Sequence, residues 1–175
     1  MKSRLEMILS IYALIKPRIP LLSHRSHFTV RYSTFDKFYY EVTIATLNSE
    51  ACVAIGYVAK PYPVSFRLPG WNRASLAIHS DDGRRYVADP FAGRDCLAPI
   101  AAGHTVGIGL DFDAGTVTVS RDGQYATGWS MYEHIETRDM DGFYKGQLDV
   151  YAAVGVYGTA SVIVNFTPPF KYSVQ

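Results

Sequence analysis

His79, Asp81 and Asp82 are the residues of this sequence most typical of chemistry, and they stand together in SLAIHSDDG. Paired carboxylates can act as general acid and base, and carboxylates with an imidazole can bind a metal ion. Adjacent strand residues point to opposite faces, however, so the two aspartates converge only if a turn bends them together. Asp-Asp-Gly is itself a turn sequence, because aspartate side chains bond turn amides and Gly83 accepts a positive φ. We therefore predict a turn, with His79 hydrogen-bonded to a neighbouring loop.

Two further aspartates, Asp111 and Asp113, occupy alternate positions and would share one face of a strand. Asp113 precedes Ala-Gly and is interpreted as a turn residue, which leaves Asp111 as a single, solvated carboxylate. The chain has no HExxH, GxSxG or GxGxxG motif, and its five histidines have no acidic or cysteine partner at ligand spacing. These patterns predict a protein that is not an enzyme, with no metal ion, no cofactor and no Ser or Cys paired with a His.

The charge composition argues against nucleic acid as a partner. The 175 residues carry a net charge of +1 with acids and bases interspersed, so no long-range field attracts nucleic acid, and we expect none as a partner. The two cysteines, Cys52 in ACVAIGY and Cys96 in GRDCLAP, form neither a CxxC motif nor a disulfide framework. Both are predicted to be small, buried or half-buried residues of a reduced chain, and we expect a cytoplasmic protein.

The N-terminal residues differ from the rest. Residues 7–15, MILSIYALI, form an apolar run that resembles the apolar region of a signal peptide, but Glu6 interrupts its start and no small-residue cleavage site follows. The run is too short to span a bilayer, which needs about 20 apolar residues. We expect a short helix or irregular segment packed on the domain, and the alternative is the remnant of a membrane anchor. Residues 1–27 are thus predicted to be separate from the domain that follows.

From residue 28 onward apolar residues recur with period two, which indicates β-strands with one buried face. In FYYEVTIATL, Tyr40, Val42 and Ile44 share a face, whereas ACVAIGY is apolar on both faces and suggests a central strand. HTVGIGLDFDAGTVTVSRDGQYATG contains three alternating stretches joined by two turn sequences, the pattern of a meander. LDVYAAVGVY and SVIVNF complete the series. The sequence therefore predicts an all-β, two-sheet antiparallel sandwich.

One stretch interrupts the strands. Residues 129–146, WSMYEHIETRDMDGFYKG, are polar, charged and without a clear period. We interpret them as a long surface connection that includes at most a helical turn, and loops of this length are often functional.

The order of the motifs resembles one family. YYEVTI, VAIGYVAKPYP, RLPGW, SLAIHSDDGRR, GHTVGIGLDFDAGTVTVSRDGQ, VYAAVGVYG and VNFTPPFKY match the SPRY domain in sequence and spacing over residues 28–172. Within that family, PYP, RLPGW and HSDDG are similar to the branch of the Ran-binding protein of the microtubule-organising centre. KPYPVSFRLPGW is more similar still to fungal membrane-anchored adaptors of a HECT-type ubiquitin ligase. The resemblance implies a concanavalin-like sandwich, followed by a tail at residues 173–175.

The resemblance also implies a function without catalysis. SPRY domains bind a protein or a short peptide on a shallow surface of loops at one edge of the sandwich, and the fungal adaptors select cargo for ubiquitination. Those adaptors carry a transmembrane helix and Pro-Pro-x-Tyr motifs, which the N-terminal run and PPFKY do not reproduce. We therefore expect a protein-interaction module without a small-molecule cofactor. A full-length relative could associate with the cytosolic face of an endosomal or vacuolar membrane, but this chain alone would not.

Aromatic residues are abundant, at 14% of the chain. Tyr and Trp bury large areas at low entropic cost and keep a polar tip, so binding surfaces use them together with arginine. The resemblance to SPRY domains implies that the loop before RLPGW and the turn between the last two long strands lie near each other and contact the ligand. The predicted partner-binding residues are Tyr62, Phe66, Arg67, Trp71, Tyr157, Gly158 and Thr159. For Trp71 the alternative is that the loop packs its own aromatic side chain onto the sandwich.

Two other functions stay open. A carbohydrate-binding, lectin-like sandwich or a glycosidase would share the two-sheet architecture. A retaining glycosidase needs two carboxylates about 5 Å apart in a groove with stacked aromatic residues, and this sequence offers only turn aspartates. A purely structural domain inside a larger assembly is the third interpretation.

Overall fold

A computed structural model describes residues 37–63, 67–134, 140–144 and 148–172, with the backbone alone for residues 9–12 and 134. The strands are β1 (Leu9–Tyr12), β2 (Lys37–Leu47), β3 (Cys52–Ala59), β4 (Ser75–His79), β5 (Arg85–Val87), β6 (Thr105–Asp111), β7 (Thr116–Arg121), β8 (Gln124–Ser130), β9 (Val150–Tyr157) and β10 (Ala160–Asn165). Sheet 1 has the strand order β1-β9-β3-β4-β5, and sheet 2 has the order β10-β2-β6-β7-β8. Every pairing is antiparallel, so the predicted all-β sandwich is confirmed.

The N-terminal segment differs from the helix expected over residues 7–15. Leu9–Tyr12 are extended and pair with β9, in a register that runs from Leu9↔Val156 to Tyr12↔Ala153. Without β1, β9 would be an edge strand whose backbone N–H and C=O groups lack partners, and an added strand satisfies them. The other residues of the segment lie outside the described chain, so the boundary at residue 27 stays a prediction.

The strands bury the faces that their sequences indicate. Tyr40, Val42 and Ile44 of β2 are fully buried between the sheets, and all eight residues of β3 are buried, as predicted for a central strand. Strands β6, β7 and β8 form the predicted meander. The turn after β6 differs from the prediction for Asp111. Asp111 accepts a hydrogen bond from the Ala114 N–H at 2.8 Å and forms an ion pair with Lys37, so it is not a solitary, solvated carboxylate.

Two tyrosines from opposite sheets cross in the core. The hydroxyl of Tyr40, on sheet 2, donates to backbone carbonyls of sheet 1, at 2.6 Å from Gly56 O and 3.0 Å from Ala153 O. Tyr57, on sheet 1, donates to Ile108 O of sheet 2 at 3.1 Å. The two rings meet edge to face, with centroids 5.4 Å apart. Burial raises the pKa of both phenols well above the usual value, so both remain hydrogen-bond donors.

The stretch interpreted as a surface connection contributes to the core instead. Its first two residues end β8, Met131–His134 form a 3-10 turn, and Asp141–Tyr144 form a short helix, α1. Met131, Met140 and Phe143 are fully buried in the core between the sheets. The apolar residues are too few and too widely spaced to show a period, which is why the sequence pattern missed them. Among the described residues, no helix is long and apolar enough to cross a membrane.

The chain's C-terminal residues cover the outer face of sheet 2. Glu41 is only 4% exposed there, and its carboxylate accepts hydrogen bonds from the backbone N–H groups of Lys171 and Tyr172, each at 2.9 Å. The Tyr39 hydroxyl donates to the same carboxylate at 3.1 Å, and its ring packs edge to face on Phe170. A buried carboxylate is thus satisfied by three donors, which fixes the end of the domain.

Tyr40→Phe is expected to lower the free energy of unfolding by about 1–2 kcal/mol, because two buried carbonyls lose their donor while the ring still fills the core. Chemical denaturation measures the change. Tyr132→Phe is the control, since Tyr132 is 56% exposed and its substitution should change stability little. Equal loss in both variants would contradict the structural role of the Tyr40 hydroxyl.

Glu41→Gln is expected to release the C-terminal segment, because an amide offers one acceptor atom and turns its NH₂ donors toward backbone N–H groups. Hydrogen exchange should show faster exchange at the amides of Lys171 and Tyr172, by about 10-fold or more if a charged hydrogen bond of about 1.5–3 kcal/mol is lost. The exposed Glu50→Gln is the matched control. Unchanged protection in Glu41→Gln would show that the carboxylate does not hold the segment.

Candidate partner-binding surface

The loop between β3 and β4 crosses the outer face of sheet 1 and forms a second apolar layer there. Leu68 is buried against Cys52 and Ala54, in a cluster separate from the core between the sheets. Small residues on the sheet allow this close approach, since a Cβ on Gly155 would lie 2.5 Å from Cδ of Pro69. The loop therefore rests on sheet 1 and does not project freely from it.

Tyr62 holds the first half of this loop. Its side chain is 9% exposed and packs with Val58 and Ala153 on the outer face of sheet 1. Its hydroxyl donates to the Leu68 carbonyl, which ties the two described parts of the loop together. A partner would thus meet little of the side chain of Tyr62, which we expected to be a partner-binding residue.

Trp71 packs onto the sandwich, which agrees with the alternative that its loop buries its own aromatic side chain there. It is half-buried against the Leu68 cluster, and its ring centroid lies 5.5 Å from that of His79. The preceding Gly70 has φ of 91°, and its N–H donates to Ser75 Oγ at 3.0 Å. The Pro-Gly turn therefore aims the indole at the sheet and leaves part of it accessible to a ligand.

The turn after β9 carries the chain from sheet 1 to sheet 2. Tyr157 is 41% exposed, and Gly158 and Thr159 are exposed as well. Gly158 has φ of 73° and its Cβ would lie 3.0 Å from Cα of Ala51, so glycine is required. The Thr159 carbonyl accepts a hydrogen bond from the Asn48 N–H at 3.0 Å. The turn is thus fixed against the neighbouring β2–β3 turn while it stays open to solvent.

The strand register separates Tyr62 from this turn. Cys52 at the start of β3 pairs with Tyr157, and Ala59 at its end pairs with Val150. Tyr62 follows Ala59, so about seven residues of strand, or about 23 Å, separate the two ends.

The rest of the loop returns along β3 toward Tyr157. Leu68 packs on Cys52 and Pro69 lies against Gly155, which places this part of the loop, with the half-buried Trp71, over the half of sheet 1 that ends at the Tyr157 turn. The exposed Arg67 directly precedes Leu68. Phe66 lies outside the described residues. We call the residues at this end the edge surface: Arg67, Trp71, Tyr157, Gly158 and Thr159.

The turn predicted at Asp-Asp-Gly is confirmed. Gly83 has φ of 70°, and its N–H donates to the His79 carbonyl at 2.9 Å. Asp82 accepts from the Arg84 N–H at 2.8 Å and from the Tyr86 hydroxyl at 2.6 Å. Partial burial and the adjacent Asp82 carboxylate raise the pKa of Tyr86 to about 12, so this phenol remains a donor. Asp82 is therefore a structural residue of the turn.

His79 is bonded to a neighbouring loop, as predicted, since its Nε2 lies 2.8 Å from the Pro69 carbonyl oxygen. Although no motif in the sequence indicates it, this histidine has a cysteine and an acidic residue as neighbours. A ring nitrogen of His79, Sγ of Cys52 and a carboxylate oxygen of Asp81 all lie within 4.8 Å of one another. Strand pairing between β3 and β4 brings them together, so spacing along the chain gave no signal.

Comparison with known proteins identifies the family. Residues 37–168 match the family model of the SPRY domain. The chain belongs to the SPRY domain family. SPRY domains are protein-interaction modules and are generally not enzymes, which agrees with the interaction function that we expected.

Fungal proteins named ssh4 are similar to this SPRY domain. The protein of Sclerotinia sclerotiorum is 33% identical over 129 residues, which cover 74% of this chain and 22% of the relative. That of Neosartorya fischeri is 33% identical over 131 residues, which cover 75% of this chain and 23% of the relative. The chain thus spans less than a quarter of the length of these relatives.

Solved SPRY domains share the fold. The crystal structure of a human SPRY domain is 19% identical with a TM-score of 0.59, and the match covers 96% of this chain and 90% of that chain. The SPRY domain of human HERC1 is 14% identical with a TM-score of 0.55, over 74% of both chains. These likenesses support the two-sheet sandwich.

Gly155→Ala is expected to push the Pro69 region of the loop away from sheet 1, because the new methyl group would overlap Pro69 Cδ. Overpacking of this kind costs about 1–3 kcal/mol in the free energy of unfolding. Because Trp71 lies on the same loop, its fluorescence should shift to longer wavelength. Gly109→Ala on sheet 2 is the control, since its nearest atoms are 3.2 Å away. An unchanged Trp71 environment in Gly155→Ala would contradict this packing.

Proposed function

We propose that this SPRY domain binds a short peptide or a protein surface at the edge surface. The observation that carries the proposal is the rigid, exposed Tyr157-Gly158-Thr159 turn, at the end of sheet 1 on which the loop that contains the exposed Arg67 packs. Tyrosine and the accessible part of Trp71 offer contact area at low entropic cost, and an arginine can form two parallel hydrogen bonds to a carboxylate. A preorganised turn also lowers the ordering cost of binding. The expected ligand therefore presents an acidic group to Arg67 and an apolar group to Tyr157.

We infer further that this recognition selects cargo or substrates for ubiquitination. The motif KPYPVSFRLPGW and its similarity to fungal ligase adaptors support the inference, as does the similarity to fungal ssh4 proteins. The resemblance to the Ran-binding branch would place the domain in another assembly and is the alternative within the family. Either role puts the domain in the cytoplasm, or on the cytosolic face of an endosomal or vacuolar membrane where a longer relative supplies an anchor.

Peptides selected from a random library on the wild-type domain would provide a ligand for the test. The double variant Arg67→Ala/Tyr157→Ala should weaken binding of these peptides by at least about 10-fold, because loss of one or two central contacts costs about 1–2 kcal/mol or more. Isothermal titration calorimetry measures the change, and circular dichroism checks that the fold is retained.

Tyr125→Ala is the matched control, because Tyr125 is 61% exposed on β8, the far edge strand of sheet 2. Selected peptides should bind this variant as they bind the wild type. If the double variant kept full affinity while Tyr125→Ala lost it, the ligand would bind at the opposite edge and the proposal would be wrong. If the domain selected glycans and no peptides, the lectin-like function would replace it.

A further inference from the structure

Three potential metal ligands meet beneath the edge surface, on two strands of sheet 1 and the turn that follows one of them. Cys52 is the first residue of β3, His79 is the last residue of β4, and Asp81 lies in the turn that follows. The pairing of Ala54 with His79 sets the two strands in the register that brings these ends together. One ligand atom from each residue lies within 4.8 Å of the others, and Cys52 Sγ is 3.2 Å from Asp81 Oδ1.

The imidazole of His79 is held as metal-bound histidines usually are. Its Nε2 lies 2.8 Å from the Pro69 carbonyl, and because a carbonyl only accepts, the proton of the neutral ring is on Nε2. Nδ1 therefore keeps a free lone pair. A backbone carbonyl that orients a histidine through its other nitrogen is a common feature of metal sites.

Two aromatic side chains also pack near the imidazole of His79. The ring centroid of Trp71 lies 5.5 Å from that of His79, and the ring centroid of Tyr86 lies 4.4 Å from it. His79 itself is 2% exposed and Cys52 is 6% exposed, whereas Asp81 is exposed. Two ligands are thus preorganised, and the third can move and gives an ion access from solvent.

Without a cation, a hydrogen bond joins the Cys52 thiol to the Asp81 carboxylate. Burial and the adjacent Asp81 carboxylate raise the pKa of the Cys52 thiol to about 12, so the thiol stays protonated and donates to Asp81. A divalent cation would offset the repulsion between thiolate and carboxylate and would displace the thiol proton into solvent. Thiolate and imidazole ligands favour zinc over magnesium and calcium, which prefer oxygen ligands.

We propose that Cys52, His79 and Asp81 form a three-ligand Zn²⁺ site, with water in the fourth position. In a tetrahedral site with zinc bonds of about 2.0–2.3 Å, neighbouring ligand atoms lie about 3.3–3.8 Å apart. The Cys52–Asp81 separation of 3.2 Å is already close to this range, and the largest separation of 4.8 Å requires a shift of about 1 Å. The site does not depend on whether a partner binds the edge surface.

The test is a metal titration of the full chain, stripped with a chelator and kept reduced. We expect one Zn²⁺ per chain with release of about one proton, because the thiol must ionise to bind. Co²⁺ in place of zinc should give the near-ultraviolet absorption of a thiolate bound to cobalt. The variants Cys52→Ser and Asp81→Asn should each weaken Zn²⁺ binding by at least about 10-fold, since changes to the surroundings of a metal ligand alone cost that much.

Two matched controls define the site. Asp82→Asn changes the adjacent carboxylate, which is bonded to Arg84 and Tyr86, and should leave the affinity for Zn²⁺ unchanged. Cys96→Ser removes the other cysteine and should leave the cobalt thiolate absorption intact. Asp81→Asn alters an exposed side chain, so it remains informative if Cys52→Ser fails to fold. The proposal is wrong if no cobalt thiolate absorption appears, or if Zn²⁺ binds the Cys52→Ser and Asp81→Asn variants as tightly as the wild type.

Discussion

The crossed pair Tyr40 and Tyr57 is the interaction on which the rest of the sandwich depends. Each tyrosine belongs to one sheet and donates a hydrogen bond to the backbone of the other, so each phenol bridges the gap between the two sheets. Packing of Val and Ile alone is not directional and tolerates sliding of one sheet over the other. A buried hydroxyl that loses its acceptor costs about 1–3 kcal/mol, and this cost selects one relative position of the sheets.

The outer faces of the two sheets are covered by different segments of the chain. Because large side chains of sheet 1 point inward, its outer face is left with small residues such as Ala54 and Gly155, on which the Leu68 region packs closely. The outer face of sheet 2 is covered in another way, since Glu41 on that face accepts hydrogen bonds from the backbone of Lys171 and Tyr172. Part of each outer face is thus covered by a segment of the same chain, whereas the turn at which the chain changes sheets stays exposed.

The strands and tight turns could be predicted because their signals are local. Alternation at Tyr40, Val42 and Ile44 gives a buried face, and Asp-Asp-Gly gives a turn, whatever lies elsewhere in the chain. The burial of Glu41 and Phe143 could not be predicted, because each residue is covered by a segment that is distant along the chain. The same holds for Cys52 beside His79, and the packing of the Leu68 region on sheet 1 depends on residues of two strands. Local patterns therefore identified the sandwich, but only part of the candidate surface.

Strand pairing and a side-chain hydrogen bond connect the edge surface to Cys52 and His79 beneath it. Cys52 pairs with Tyr157 across the sheet, and His79 holds the Pro69 carbonyl just before Trp71, so backbone hydrogen bonds connect the Cys52 region to both parts of the surface. A change of charge or bonding at Cys52, His79 or Asp81 would therefore act on the same backbone that presents Trp71 and Tyr157. Substitution of Cys52 or His79 should disturb this backbone more than substitution of the exposed residues does, because both side chains are buried and each has a hydrogen-bond partner.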